Sequence, residues 1–169
     1  MDHCMYCEKN ETLDSYMLPI CSLEYSQVYL LKNQNYPGRC VVAFNRHKRE
    51  IFELERKELH GFFDDVSTVA AAIQRLFFPD KLNYGIYGDI VSHFHCHIVP
   101  KTEGDFAWGI PFSMDGNAHF PDTSELKRRA EQIRDCIASM NSRSNHTDSY
   151  LQFPIQIKWN NNKIREAVQ

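Results

Sequence analysis

The sequence has no uninterrupted apolar run approaching the ~18 residues of a membrane span, and no basic segment followed by an apolar one at its start, Met1-Asp2-His3-Cys4-Met5-Tyr6-Cys7. These absences predict a soluble, cytoplasmic protein with no membrane partner. There is no large excess of either charge: 19 Lys and Arg stand against 22 Asp and Glu, so no general attraction to nucleic acid or to an anionic membrane is expected. The basic cluster Lys127-Arg128-Arg129 with Arg134 is too small to make a nucleic-acid footprint. There is no internal repeat. Without a secretory leader, the six cysteines are weak evidence for disulfides, and Cys40, Cys96 and Cys136, set among apolar neighbours, read as buried thiols.

What the sequence does have is Ser92-His93-Phe94-His95-Cys96-His97-Ile98-Val99-Pro100, three histidines at every second position of an apolar, β-prone run. Side chains alternate across a strand, so His93, His95 and His97 are expected on one face, with Phe94, Cys96 and Ile98 pointing into a core. Three imidazoles on one face can accept protons, attack phosphorus or bind a metal.

At the N-terminus, Cys4 and Cys7 have the Cys-x-x-Cys spacing that brings two thiolates to one tetrahedral zinc. A thioredoxin-type redox pair would need a βαβ context that is absent here. Two thiolates are half a zinc site, so imidazoles must complete it. His3 is close by, but as the neighbour of Cys4 it is poorly placed to share the metal.

The 169 residues are expected to form one domain with a terminal extension. Residues 10–20 read as polar and turn-rich. Tyr25 to Leu31 and Arg39 to Phe44 read as strands joined by a turn with Pro37-Gly38, delivering the chain to His47. Residues 51–78 repeat apolar positions at three- and four-residue steps, an amphipathic helix that Pro79 stops. Leu82 to Asp89 reads as a strand running into a glycine-punctuated turn at Gly85 and Gly88. A helix is expected over 124–139, capped by Asp122, Thr123 or Ser124. Residues 143–149 then read as a linker, and the alternation of Leu151, Phe153, Ile155, Ile157 and Trp159 as an edge strand.

The triad motif, the hairpin with Pro37-Gly38, the long helix and the Asn- and Gly-containing turn together resemble the histidine triad (HIT) superfamily over roughly residues 4 to 110. The resemblance implies an α+β fold, a bent antiparallel sheet with a long helix packed across it, and a homodimer. It divides the chain into a HIT domain, 1–115, and an extension, 116–169, of a C-terminal helix and edge strand packed on the domain or its dimer partner. The chain resembles a zinc-containing bacterial-type HIT hydrolase similar to the dinucleoside polyphosphate hydrolases, which implies a structural zinc held by Cys4, Cys7, His47 and His93.

By the same resemblance His95 is the nucleophile, attacking the α-phosphorus of a nucleotide substrate to form a covalent nucleotidyl-histidine. His97 would bind the α-phosphate or the leaving oxygen. Asn83 falls where relatives place a phosphate-binding residue, Gly88 lies in the adjoining turn, and Asn33 is the nearest match to a ribose ligand. Tyr29 and Leu31 are candidates for the base slot, with core packing the alternative. Arg39 would meet distal phosphates or be a solvated surface residue. The loop Gly104-Asp105-Phe106 is similar to one in dinucleoside polyphosphate hydrolases. His97, where hexose-phosphate uridylyltransferases carry Gln, favours hydrolysis.

One departure is Ile90, where several branches carry a Ser or Thr hydroxyl. It keeps open an alternative, a zinc-stabilised, non-catalytic nucleotide-binding dimer. Metal-dependent chemistry with the three histidines as ligands would need a carboxylate ligand or an open coordination position, and Asp89 is the only close carboxylate.

Overall fold

The computed structural model describes residues 4–144. Two short helices, α1 (Met5–Glu8) and α2 (Glu11–Tyr16), lead into β1 (Met17–Ser22). The chain continues through β2 (Ser26–Leu31), β3 (Cys40–Phe44), α3 (Arg56–Phe77), β4 (Lys81–Gly85), β5 (His95–Lys101) and α4 (Thr123–Ser144). The strands form one antiparallel sheet in the order β1-β2-β3-β5-β4. This is the expected α+β architecture.

The alternation along β3 divides the interior in two. Cys40, Val42 and Phe44 pack towards α3 with Val66, Val69, Ile73 and, from the triad strand, Phe94, Cys96 and Ile98. Val41 and Ala43 face the other way, into a smaller cluster with Met5, Tyr6, Leu13, Met17, Tyr29 and Leu31. Tyr29 and Leu31 are therefore packed residues, 4% and 8% exposed. The three triad-strand residues expected in the core are in it.

The long helix starts later than its apolar periodicity suggests. Ile51–Glu53 is a 3-10 turn, Leu54 is extended, and α3 begins beyond Glu55, whose side chain exchanges hydrogen bonds with Glu58 in a capping box. Phe78, in the left-handed region at φ 50, ends it immediately before Pro79. Asp65 on this helix accepts from the Tyr25 N–H at 3.0 Å and the Ser26 hydroxyl at 2.7 Å, fixing α3 to the start of β2.

Residues 10–20 are ordered as α2 and β1, not as a turn region. Asn10 caps α2, its Oδ1 accepting from the N–H groups of Thr12 and Leu13 at 3.1 and 3.3 Å. Among the described residues β1 is an edge strand, where Pro19 costs no ladder hydrogen bond. At the other end, Asp122 Oδ1 accepts from Glu125 N–H at 2.9 Å, as an N-cap should, but α4 runs to Ser144 and overruns the first residues of the expected linker. Leu126, Ala130, Ile133 and Ile137 bury α4 in the main core beside α3 and β1. The rest of the linker and the strand expected over 151–159 lie outside the described residues.

Between β5 and α4, residues 102–122 cross the sheet face opposite α3 as a strap. The β2–β3 connection holds it: Gln34 N–H donates to His119 O at 2.7 Å, Asn35 Nδ2 to Gly116 O at 2.9 Å, and Arg39 Nη1 to Met114 O at 3.1 Å. In return Ser113 N–H donates to the Tyr36 hydroxyl at 3.1 Å.

Candidate functional site

The three histidines are 2%, 5% and 3% exposed, so each must satisfy its ring nitrogens inside the protein. His95 and His97 lie on β5 two residues apart on one face, ring centroids 5.1 Å apart. His93 precedes the strand, in the bend where its N–H bonds Val91 O at 2.8 Å. The triad thus shares a face of the sheet without sharing a strand. Ladder pairing begins only at His95, opposite Ala43.

Backbone carbonyls fix two of the tautomers, because a carbonyl can only accept. His93 Nε2–H donates to Phe44 O at 2.8 Å, which leaves Nδ1 with the lone pair. His95 Nδ1–H donates to His93 O at 2.5 Å, which leaves the lone pair on Nε2. His97 differs: its Nδ1 is buried with no hydrogen-bond partner.

Burial, partly opposed by the bond to His93, holds His95 below the ordinary histidine pKa. Burial, then the neighbouring His95 and Arg39, pushes His97 down to about 3. Both rings are neutral at pH 7, and the Arg39 guanidinium adds positive charge near His97.

The lone pair of His93 Nδ1 faces Cys4 Sγ at 3.4 Å and Cys7 Sγ at 3.6 Å, and His47 Nδ1 lies 3.4 Å from Cys7 Sγ. These four donors are all within 4.8 Å of one another and form a group able to hold a metal ion. With zinc bond lengths of about 2.3 Å to sulfur and 2.0–2.1 Å to nitrogen, a tetrahedral site has an S···N edge of about 3.6 Å. The spacing and the two-thiol, two-imidazole donor set both fit that ion. The carbonyl behind His93 supplies the second-layer hydrogen bond that orients a ligating imidazole. His3 lies outside the described residues. The four expected ligands are thus brought together from three parts of the chain.

Tyr6, between the two thiols in sequence, has no counterpart among the residues expected from sequence. Its buried ring lies 5.1 Å from the His93 ring and 5.3 Å from the His95 ring. An aromatic inside a Cys-x-x-Cys pair was the available signal. Phe112 and Tyr87 are likewise additions, centred 6.2 and 5.9 Å from His97. They meet that ring because residue 85, opposite His97 in the β4–β5 ladder, is Gly: a Cβ there would lie 2.5 Å from the Tyr87 ring and 2.6 Å from Phe112. Phe112 is brought in by the strap, for which no local sequence pattern exists.

Asn83 lies on the same face as His97, opposite Val99, and lines a cleft of about 540 Å³ with Lys81, Lys101, Tyr87, Trp108 and Phe112. Gly88 follows β4, with open space where a Cβ would project. Asn33 is engaged elsewhere: its Oδ1 accepts from Asn35 N–H at 3.2 Å and His119 N–H at 3.0 Å. Arg39 is not a surface residue. It is fully buried, with Nη1 on Asn35 Oδ1 at 3.2 Å and on Met114 O, and its guanidinium 5.9 Å from the centre of the Phe112 ring. Ile90 is 93% exposed and offers no hydroxyl.

A family model described as the HIT domain matches residues 19–104. The chain is similar to the asymmetrical bis(5'-nucleosyl)-tetraphosphatase of Schizosaccharomyces pombe, 32% identical over 76 residues, which are 42% of either chain. It therefore spans less than half the length of that relative. Among solved structures it is similar to a histidine triad protein from Bradyrhizobium japonicum, with TM-score 0.69 and 26% identity over 76% of this chain and 96% of that one. A zinc-bound histidine triad family protein from Mycobacterium smegmatis shares the fold, with TM-score 0.63 and 20% identity over 83% and 96% of the two chains.

Proposed function

The chain belongs to the HIT domain family, and from that membership we propose that it is a nucleotide hydrolase that cleaves dinucleoside polyphosphates or related adenylylated compounds at the α-phosphate. The observation that carries the reading is the His95 tautomer. With Nδ1–H given to the His93 carbonyl, Nε2 holds a lone pair beside a second buried imidazole. Attack by Nε2 forms a P–N bond and breaks the bond from the α-phosphorus to the bridging oxygen, which leaves with the electron pair. Water then hydrolyses the P–N bond and restores the imidazole, so one difficult displacement becomes two easier ones. His97, neutral and with an N–H to give, supports a phosphate oxygen as charge develops. Asn83, on the same face, is the proposed phosphate contact. Gly88 permits close approach in the turn, and Arg39 acts on the phosphates through its field from behind Phe112. Asn33 acts on the ribose side by holding the strap.

Cys4, Cys7, His47 and His93 would hold a structural zinc that joins the N-terminus to the sheet and takes no part at phosphorus. The reading includes a homodimer in the cytosol. Among the described residues the outer edge of β4 is unpaired, and with the exposed Phe63 and Phe78 it gives a second copy apolar surface to cover; a zinc site built on the Cys4 and Cys7 thiols suits a reducing compartment.

The test is intact-protein mass spectrometry after brief mixing with diadenosine tetraphosphate and quenching without acid. A nucleotidyl adduct on the wild type that is missing from His95→Ala is the expected result. Nucleotide bound without adduct or turnover would favour the second reading, a zinc-stabilised binding dimer, for which the observation is the solvent-facing Ile90 in place of a hydroxyl.

A further inference from the structure

We propose that the cleft between β4, the end of β5 and residues 108–112 is a second subsite that holds the leaving half of the substrate, a polyphosphate carrying an aromatic nucleoside. This rests on the reading of His95 as nucleophile at the α-phosphorus and adds where the departing group goes.

The first observation is a pair of like charges. Lys81 and Lys101 are directly opposite in the β4–β5 ladder, an arrangement that destabilises a sheet unless something offsets it. Lys101 is 4% exposed. Its ammonium donates to the Ile110 carbonyl at 2.6 Å, and among the described residues no carboxylate lies within ion-pair distance of it. Asp80, beside Lys81, is committed to the Glu103 N–H at 2.8 Å. Arg39, on the same side of the sheet, is a second buried cation; its Nη1 is held by Asn35 and Met114, and Asp115 acts on it only through its charge. Buried charge needs compensation, and an anionic ligand supplies it.

The second observation is alignment. His95, His97, Val99 and Lys101 alternate onto one face of β5, and Gly85, Asn83 and Lys81 onto the same face of β4. From His97 to Lys101 the strand advances ~13 Å. The buried, unpartnered His97 Nδ1 lies at one end of this row and the lysine pair at the other. A chain of phosphates leaving the α-phosphorus along it passes Asn83 and ends against two ammonium groups.

The third is the wall. Trp108 and Tyr87 line the cleft with 40% and 44% of their surface exposed. Aromatic faces left open beside a cationic groove form a stacking platform for a base. When the bond from the α-phosphorus to the bridging oxygen breaks, the electron pair remains on that oxygen. The departing phosphate then has its added charge offset by Lys81 and Lys101.

The experiment is equilibrium binding, by calorimetry, to the His95→Ala protein, using AMP, inorganic tripolyphosphate and diadenosine tetraphosphate. Adding Lys81→Ala is expected to weaken tripolyphosphate and diadenosine tetraphosphate by about tenfold each, the size of one charge-assisted contact, and to leave AMP as it was. Adding Trp108→Ala is expected to weaken diadenosine tetraphosphate alone. If neither variant changes either polyphosphate, or if Lys81→Ala weakens all three ligands alike, the subsite is overturned while the triad reading stands. If Trp108→Ala converts a dimer to monomers, the aromatic wall is a subunit contact and the proposal falls. Tripolyphosphate binding that depends on Lys81, together with a wild-type protein that forms no adduct with any nucleotide, would keep the anion site and remove the nucleophile reading.

Discussion

The main-chain carbonyl of His93 accepts the Nδ1–H of His95 at 2.5 Å, while the ring of the same His93 faces the Cys4 and Cys7 thiols. One residue therefore belongs to the candidate metal group through its side chain and to the proposed nucleophile through its backbone. Mutations on the two sides should separate. His95→Ala is expected to lose at least about a thousandfold in turnover of diadenosine tetraphosphate with zinc content unchanged. Cys4→Ser should lose zinc while retaining measurable turnover. Elemental analysis and a rate assay on each purified variant check both, and zinc loss in His95→Ala would contradict the separation.

Metal removal should act on the N-terminus first. α1 has only four residues and no side-chain cap, so it is held by the packing of Met5 and Tyr6 and by Cys4 and Cys7 at the candidate metal group. Chelation is expected to lower the melting temperature and to make residues 4–16 protease-sensitive, since metal binding free energy is folding free energy. A melting curve identical with and without chelator would exclude that coupling.

Acid should destabilise the protein partly through His97. Burial first, then His95 and Arg39, holds its pKa at about 3 against an ordinary 6.5. Between those values the unfolded chain binds a proton that the folded chain does not. This contribution is thus complete above about 6.5 and is lost as pH falls towards 3. Urea denaturation at pH 7.5 and pH 5 should show a smaller loss for His97→Gln than for wild type. Equal losses would mean that the ring is protonated in the folded state.

Gly85→Ala should harm the site more than the fold. The added methyl would lie 2.5 Å from Tyr87 and 2.6 Å from Phe112, and overpacking of this kind costs about 1–3 kcal/mol. Relief requires those rings to move off His97. The expected result is a shift in denaturation midpoint of that size together with loss of turnover, and full turnover would show that the two rings do not support His97.

How much of this was legible depended on range. The alternation from His93 to Pro100 announced both the strand and its inner residues, because period two is a local property. The ligand set could be completed only through a resemblance, since Cys4 and His93 are 89 positions apart and no pattern of spacing links them. β1 was not legible, because Pro19, between Leu18 and Ile20, argues against a strand and is tolerated only at a sheet edge that the assembled sheet defines. Arg39 invited a surface or ligand role. It is buried because the strap, 75 residues later, brings Met114 over it.

The strand order β1-β2-β3-β5-β4 sets when the molecule can be finished. Both β3 and β4 are made before their common partner β5, so during synthesis each carries an open hydrogen-bonding edge. Only when β5 emerges from the ribosome can the sheet close. That closing strand bears His95 and His97. A nascent chain of this protein therefore brings His95 and His97 into place in the same event that gives β3 and β4 their common partner.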